Sequence, residues 1–304
     1  MITFFTTAKP FHGHSAVIQR NALQSWKLLD PDAEVILFGD DEGAADVCAQ
    51  LGLRHEPHVD RHESGMKYLN YTFERAQQIA RHDFLCYSNC DIVLMDDFRD
   101  AFERARAWRD CFLLVAQRWD TNVTDAIDFA GQEWARSLRQ LALTNGYLQH
   151  PNFIDFFVFS RGLYDTVPPL VVGRSYWDHW LVWKALDRGA AVLDASRIVV
   201  PVHQNHVYNY HPLGKQGTNE DSLAMRNIEL AGDGKHLRSM LDSTHRFTRS
   251  GEIRRSRFRR IFESASVLTV RQKLVELTFP LRKRLGLRRQ TFDKVGRIPS
   301  NPIH

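Results

Sequence analysis

The chain has 304 residues, of which 43% are hydrophobic and 25% charged, and its formal net charge at pH 7 is +4. These values are ordinary for a soluble globular protein. No apolar run approaches the roughly 18–20 residues that a membrane-spanning helix requires, which argues against an integral membrane protein.

The first half of the chain alternates between short apolar runs and segments of helical periodicity. Predicted strands cover 2–7, 34–38, 53–57 and 111–117, with another beginning at Phe84, and predicted helices cover 14–29, 44–51, 67–81 and 96–108. The N-terminal residues lack the basic segment of a signal peptide, so we interpret them as the first strand. This alternation predicts an α/β fold: a Rossmann-like, mostly parallel sheet with right-handed crossovers, flanked by helices.

The second half is less regular. Predicted helices cover 129–143 and 176–187, and predicted strands cover 154–160, 191–194 and 198–202. Within the helix 176–187, the tryptophans Trp177, Trp180 and Trp183 form one stripe, for which core packing is the expected role.

Charge divides the chain into two parts. Residues 246–304 contain 16 Lys and Arg against 4 Asp and Glu, so residues 1–245 carry a net −8 if the whole chain is +4. We therefore predict a globular domain over 1–245 and a basic, helical, amphipathic tail over 246–304. Apolar residues at helical spacing in a basic background are typical of an interfacial membrane helix. A solvated tail and a nucleic-acid contact are the alternatives, and no nucleic-acid reading motif accompanies the charge.

The four cysteines, Cys48, Cys86, Cys90 and Cys111, form no CxxC pair. This spacing favours reduced thiols and a cytoplasmic protein. Zinc ligation by Cys86 and Cys90 is an alternative, but no second pair completes such a site.

Polar side chains follow the predicted strands where these end. Asp40 follows the second strand, and Asn89 and Asp91 follow the segment that begins at Phe84. Alternate residues of a strand share a face, so Asn89 and Asp91 could hold a divalent cation together with phosphate oxygens. A structural turn is the alternative. Ligands of parallel α/β sheets bind beyond the carboxyl ends of the strands, which favours a binding site.

The order of these motifs resembles that of the GT-A glycosyltransferases, the nucleotide-diphospho-sugar transferase type. Their DxD motif ends a central strand and binds a divalent metal and the donor diphosphate; its counterpart here is Asn89-Cys90-Asp91. Asn is a neutral and weaker ligand than Asp, so the resemblance implies Asp91 as the direct ligand. It also implies a late histidine on the metal, His203 or His206. Their spacing of three predicts that only one of them reaches it.

The resemblance further implies a set of donor-binding residues. Thr7 and Lys9 would lie near the nucleoside, and Asp40 would contact the base or ribose. Lys67, at the start of a predicted helix, suits phosphate binding. We expect Trp119 to stack on a sugar or base.

For catalysis, the resemblance singles out Asp178, near a predicted helix start, as the residue that deprotonates the acceptor hydroxyl in inverting members. Asp155 is the alternative for that role or for binding the acceptor. Inversion and retention of the anomeric configuration both stay open.

The resemblance thus implies a glycosyltransferase that uses a nucleotide-sugar donor, a saccharide or glycolipid acceptor, and Mn²⁺ or Mg²⁺, in bacterial surface-polysaccharide assembly. We expect it in the cytoplasm, or at the inner face of the plasma membrane if the basic tail binds anionic lipid. No nucleic-acid partner is expected. One alternative is a sugar-nucleotide nucleotidyltransferase, which would require a Gly-rich basic loop where this chain has residues 8–13. The other is a catalytically silent sugar- or lipid-binding protein, for which Asn89 is the best support.

Overall fold

The computed structural model of the chain describes residues 1–206 and 221–256. Within these ranges the chain forms a nine-stranded sheet, a four-stranded sheet and seven α-helices. The helices are α1 (Gly13–Leu28), α2 (Ala44–Leu51), α3 (Leu69–Ile79), α4 (Asp96–Trp108), α5 (Trp134–Asn145), α6 (Trp177–Asp187) and α7 (Ser222–Leu230), and Met240–Asp242 form a 3₁₀ helix.

Thirteen strands build the two sheets within the described ranges. They are β1 (Thr3–Thr7), β2 (Glu34–Phe38), β3 (Arg54–Glu56), β4 (Phe84–Ser88), β5 (Ile92–Val93), β6 (Phe112–Val115), β7 (Trp119–Thr121), β8 (Tyr147–Leu148), β9 (Phe156–Ser160), β10 (Ala191–Asp194), β11 (Val202–Gln204), β12 (His245–Phe247) and β13 (Ile253–Arg255).

The large sheet has the order β13-β12-β10-β6-β9-β4-β1-β2-β3. Strands β3, β2, β1 and β4 pair in parallel, as do β6, β10 and β12. Strand β9 is antiparallel to both β4 and β6, and β13 is antiparallel to β12. The prediction of an α/β fold with a mostly parallel sheet flanked by helices is confirmed.

Both faces of this sheet are buried, as the continuous apolar runs of its strands require. On one face, Phe4 of β1 stacks on Trp26 of α1 with ring centroids 5.6 Å apart. On the other, Phe5 meets the edge of Phe73 of α3 at 5.0 Å. Successive residues of β1 therefore anchor helices on opposite faces. Trp177 and Trp180 of α6 are also buried, so the predicted core role of that stripe is confirmed for these two.

The four-stranded sheet, of order β5-β11-β7-β8, was not predicted from the sequence. Its strands are only two or three residues long, too short to show an alternating pattern. The strand predicted at 198–202 forms instead as β11 at Val202–Gln204. Pro201 has no backbone N–H to donate, and pairing begins at the residue after it.

Two further boundaries differ from those predicted. Helix α5 begins at Trp134 and not at residue 129, because Gly131 closes a turn on Asp128 just before it. The large sheet continues through β12 and β13, so the domain boundary predicted after residue 245 falls inside the sheet. Residues 257–304 of the predicted basic tail lie outside the described residues.

All four cysteines are free thiols, and Cys48, Cys86 and Cys90 are buried. The helices in the described ranges are too short or too polar to cross a lipid bilayer.

Candidate active site

A cavity of about 490 Å³ opens where β1, β2 and β4 end. We call it the strand-end cavity. Its lining comes from the segments that follow β1, β2, β3, β4 and β6, from both ends of β9, and from β11 and the residues just after it. The residues used below that line it are Thr7, Lys9, Asp41, Arg61, Lys67, Asn89, Asp91, Arg118, Asp155, Arg174, Trp177, His203 and His206. This is the edge of a parallel sheet at which ligands bind.

Asp91, His203 and His206 converge on one side of this cavity. The Nε2 atoms of His203 and His206 lie 3.7 and 3.1 Å from Asp91 Oδ2. One ligand atom from each residue falls within 4.8 Å of the others, a spacing that a metal ion could bridge. Asp91 Oδ1 is buried and has no hydrogen-bond partner in the described chain. A buried carboxylate oxygen of this kind needs a positive partner, which fits a cation at this position.

The charge state of Asp91 suits a ligand. Burial alone would raise the pKa of Asp91, but the neighbouring His203 and His206 outweigh it and hold that pKa well below its ordinary value. The carboxylate is therefore ionised at neutral pH, as metal binding requires.

Both histidines lie near Asp91. Their spacing of three residues had predicted that only one of them would reach the metal. His203 lies in β11, but His206 follows the end of that strand, where the chain no longer alternates. The pairing of β11 with β5 sets His203 opposite Ile92, next to Asp91.

Asn89 lines the cavity, and its side chain has a specific partner. Asn89 Nδ2 donates to Asp155 Oδ1 at 2.5 Å, and the backbone N–H of Asn89 donates to the carbonyl of Asp155 at 2.9 Å. Only an amide or another donor can serve here, because Asp155 presents an acceptor. This contact explains why the first position of the motif is Asn and not Asp.

We expect Asn89→Asp to destabilise the protein without improving metal binding. The substitution sets two carboxylates against each other at a partly buried site, which should lower the free energy of unfolding by about 1–3 kcal/mol. Urea denaturation measures this loss, with Asn89→Ala as the control that removes the bond without adding charge. A stable Asn89→Asp variant with tighter Mn²⁺ binding would show that the amide has no such role.

The side of the cavity near β1 and β2 is rich in basic groups. Lys67 Nζ is buried and contacts both Asp41 Oδ2 and the carbonyl oxygen of Ala8. The backbone of Lys9 is fixed by the side-chain amide of Gln19 on α1, which bonds its N–H at 2.7 Å and its carbonyl at 3.0 Å. Lys67 precedes α3 by two residues and does not lie in its first turn.

Two of the residues predicted to bind the donor lie outside the lining of the cavity. The Asp40 side chain is 75% exposed and pairs with Arg61, whereas its neighbour Asp41 lines the cavity. Trp119 contributes to a different depression of the surface. Arg118, just before β7, contacts Asp155, and Asp120 within β7 contacts His203, so the alternation of the chain turns Trp119 away from the cavity.

Asp178 follows the cavity-lining Trp177 at the start of α6; it is not itself part of the lining, and its side chain is 19% exposed. Burial raises the pKa of Asp178; His179 opposes this shift, and the carboxylate of Asp155 adds to it. Asp155 differs, because Arg118 and Asn89 occupy its two oxygens. A carboxylate with a raised pKa is suited to accepting a proton, and both oxygens of Asp155 are already engaged, so Asp178 is the better candidate for the base.

Several lining residues were not singled out from the sequence: Asp41, Arg61, Arg118 and Arg174. Arg174 pairs with Asp221 at 2.5 Å, across 47 positions of sequence. For Arg118, the only local signal is its position next to Trp119 and Asp120, and its partner Asp155 is 37 positions away.

No protein-family model and no curated protein matches the chain. Solved structures do show similarity. Glucosyl-3-phosphoglycerate synthase from Mycobacterium tuberculosis, in complex with Mg²⁺ and UDP, is 15% identical over 76% of this chain and 79% of that chain, with a TM-score of 0.46. The same enzyme in complex with Mn²⁺, UDP and phosphoglyceric acid gives 15% identity over 84% and 85%, with a TM-score of 0.47.

S. aureus TarS, residues 1–349, is 13% identical over 67% of this chain and 58% of that chain, with a TM-score of 0.39. Identities and TM-scores at this level describe a likeness of overall arrangement and nothing finer.

Proposed function

We propose that this protein is a glycosyltransferase that transfers a sugar from a nucleotide-sugar donor to a hydroxyl group of its acceptor. The observation that carries the proposal is the cluster of Asp91, His203 and His206 at the strand-end cavity. It combines a carboxylate and two imidazoles with nearby lysines. Such a set suits a diphosphate bound with a divalent cation.

Asp91, His203 and His206 would hold the cation. Carboxylate oxygen and imidazole nitrogen together suit Mn²⁺, and Mg²⁺ would rely more on Asp91 and phosphate oxygens. When bound, the ion neutralises the negative charge that develops on a departing diphosphate. The unpartnered Oδ1 of Asp91 supports this assignment.

The donor would lie along the basic side of the cavity. The side chains of Lys9, Arg61 and Lys67 line it there and can meet phosphate oxygens. Thr7 and Asp41 lie at the ends of β1 and β2 on the same side, where the nucleoside would fit. Asp41 replaces Asp40 as the acidic residue of this part of the site.

Asp178 is the proposed base. In the transfer, the acceptor oxygen forms a bond to the anomeric carbon as the bond from that carbon to the diphosphate breaks. The acceptor proton passes to Asp178, whose raised pKa suits this role. Asp155 instead fixes Asn89 and Arg118 at the floor of the site.

For the acceptor we propose a saccharide or glycolipid of bacterial surface-polysaccharide assembly. The excess of basic residues in 246–304 supports a cytoplasmic enzyme whose tail contacts an anionic membrane surface.

Titration calorimetry of the full chain with UDP, GDP, CMP and dTDP, each with and without Mn²⁺, tests the proposal. We expect one nucleotide to bind, more tightly when Mn²⁺ is present. The matching nucleotide sugars are then assayed for release of the nucleotide, which distinguishes an enzyme from a silent binding protein. Failure of every nucleotide to bind, with and without the metal, would refute the proposed function.

A further inference from the structure

Three charged side chains lie next to the Asp91–His203–His206 cluster. The proposed binding of the nucleotide sugar does not explain why Asp120 and Arg118 are placed there. We call Asp120, Arg118 and Asp155 the charged relay; the side chain of Asp120 is 18% exposed, and the other two are buried. Arg118 and Asp155 are each 6% exposed. Buried charges of this kind are unfavourable unless each is held by a partner of opposite sign.

The contacts of the relay run from the metal-binding cluster to Asn89. His203 Nδ1 lies 3.1 Å from Asp120 Oδ1, and Arg118 Nε lies 2.9 Å from the same oxygen. Arg118 Nη1 reaches Asp155 Oδ2 at 2.9 Å, and the other oxygen of Asp155 accepts from Asn89 at 2.5 Å. One guanidinium group thus connects the two sides of the cavity floor.

Strand pairing fixes Asp120 beside His203. Strands β7 and β11 are parallel neighbours with His203 opposite Asp120. Gln149 holds the other oxygen of Asp120 through a 2.5 Å hydrogen bond from Nε2. The carboxylate therefore cannot move away from the imidazole without breaking the bond to Gln149 and the ion pair with Arg118.

This arrangement fixes the orientation of His203. The contact is one of charge, because neither His203 Nδ1 nor Asp120 Oδ1 makes a hydrogen bond of regular geometry within the described chain. A carboxylate oxygen 3.1 Å from Nδ1 favours the tautomer with the proton on that nitrogen. It leaves the lone pair of Nε2 directed toward Asp91, 3.7 Å away. Histidines that bind metals in proteins almost always have such a partner on the second ring nitrogen, and its loss weakens metal binding.

We propose that Asp120, held by Arg118, is a positioning residue that sets the affinity of the Asp91–His203–His206 cluster for a divalent cation. This inference rests on the metal site of the proposed function. Asp120 is outside the lining of the strand-end cavity, so its effect reaches the ligand through His203. Arg118 also contacts Asp155, which accepts a hydrogen bond from Asn89. The guanidinium group of Arg118 therefore helps to position both His203, through Asp120, and Asn89, through Asp155.

The test measures binding of Mn²⁺ alone to the full chain, by electron paramagnetic resonance of the free ion. We expect Asp120→Asn to raise the dissociation constant about 10- to 100-fold. Asp194→Asn is the matched control: Asp194 is a buried carboxylate at the end of β10, and its Oδ1 accepts bonds of 2.9 and 2.5 Å from Ser196. The control should bind Mn²⁺ within about twofold of the wild type, because its partner Ser196 lies outside the cluster.

A second comparison separates positioning from general damage. In a His203→Ala background, Asp120→Asn should produce no further change in Mn²⁺ affinity, because its effect passes through the missing imidazole. An equal fold-change in both backgrounds would overturn the proposal. If Asp120→Asn does not fold, as judged by circular dichroism, Asp120→Glu replaces it. Glu keeps the charge and should give a smaller loss of affinity, and unchanged affinity would again overturn the proposal.

The two proposals fail in different ways. A wild-type protein that binds no Mn²⁺ refutes the metal site itself and the inference with it. If Asp120→Asn binds Mn²⁺ as tightly as the wild type, only the proposed role of Asp120 is refuted.

Discussion

Asp91→Asn should abolish Mn²⁺ binding and lower kcat/KM with the preferred nucleotide sugar by about 10³-fold, equivalent to about 4 kcal/mol of transition-state stabilisation. The substitution keeps the shape of the side chain and removes its charge. His203 and His206 then lose the carboxylate that lies 3.7 and 3.1 Å from their Nε2 atoms. Steady-state kinetics and Mn²⁺ titration measure the two effects on the same preparation.

The control for this experiment is again Asp194→Asn, which removes a buried carboxylate at another strand end. It should retain Mn²⁺ binding and turnover even if its melting temperature falls. Asp91→Asn with wild-type kinetics would place the reaction centre elsewhere. Lost turnover with intact Mn²⁺ binding would instead assign the cation to a different site.

Asp178→Asn should lower kcat by about 10²- to 10⁴-fold while leaving the affinity for the nucleotide close to that of the wild type. In the proposed mechanism the carboxylate takes only the acceptor proton, so its loss should affect the chemical step and not donor binding. Proton NMR of the product should show inversion at the anomeric carbon, as direct attack assisted by a base requires. Retention of configuration, or unchanged turnover in the variant, would remove Asp178 from this role.

The pH dependence follows from the raised pKa of Asp178. An ordinary Asp loses its proton near pH 3.9, so the base should become active only at a higher pH than that. In wild-type enzyme kcat should rise with pH through this ionisation, and the rise should vanish in Asp178→Asn.

Stability provides a second, independent check on Asp178. Because the pKa is higher in the folded state than in the unfolded chain, ionisation of Asp178 weakens the fold as pH rises above the unfolded value. Asp178→Asn should therefore be at least as stable as the wild type at pH 7. A variant that loses both turnover and stability would indicate a structural role.

The sequence predicted seven strands of the large sheet, six of which are four or five residues long and so show a pattern, whereas the three-residue strands β12 and β13 were not predicted. Strand β2 is five apolar or buried residues between turn residues, and it forms at the predicted positions. Helices α2 and α4 also begin and end as predicted. The sequence drew attention to Asp91 through its position at a strand end and to the two histidines through the order of the motifs, and the structure brings these three side chains together.

The remaining parts of the site depend on contacts between distant segments. Asp120 becomes a partner of His203 only through the register of β7 and β11, two strands of three residues each. Trp119 was predicted to lie in the site because of its residue type. The alternation of the chain instead directs the side chains of Arg118 and Asp120 toward the site. Asp40 and Asp41 are equivalent in sequence, and only the position of Lys67 distinguishes them.

The pairing of β5 with β11 means that the Asp91–His203–His206 cluster can assemble only late in the synthesis of the chain. Asp91 and His206 are 115 positions apart, and the strands beside them meet antiparallel. Helix α1 helps to hold β11: Gln204 bonds both Asn21 at 2.9 Å and the carbonyl of Ile18 at 2.8 Å. During synthesis, the sheet regions made first can fold before residue 206 has emerged, but the cluster cannot assemble. A chain that ends before residue 206 would lack part of the proposed cation site, so cation affinity would distinguish it from a chain that includes this residue.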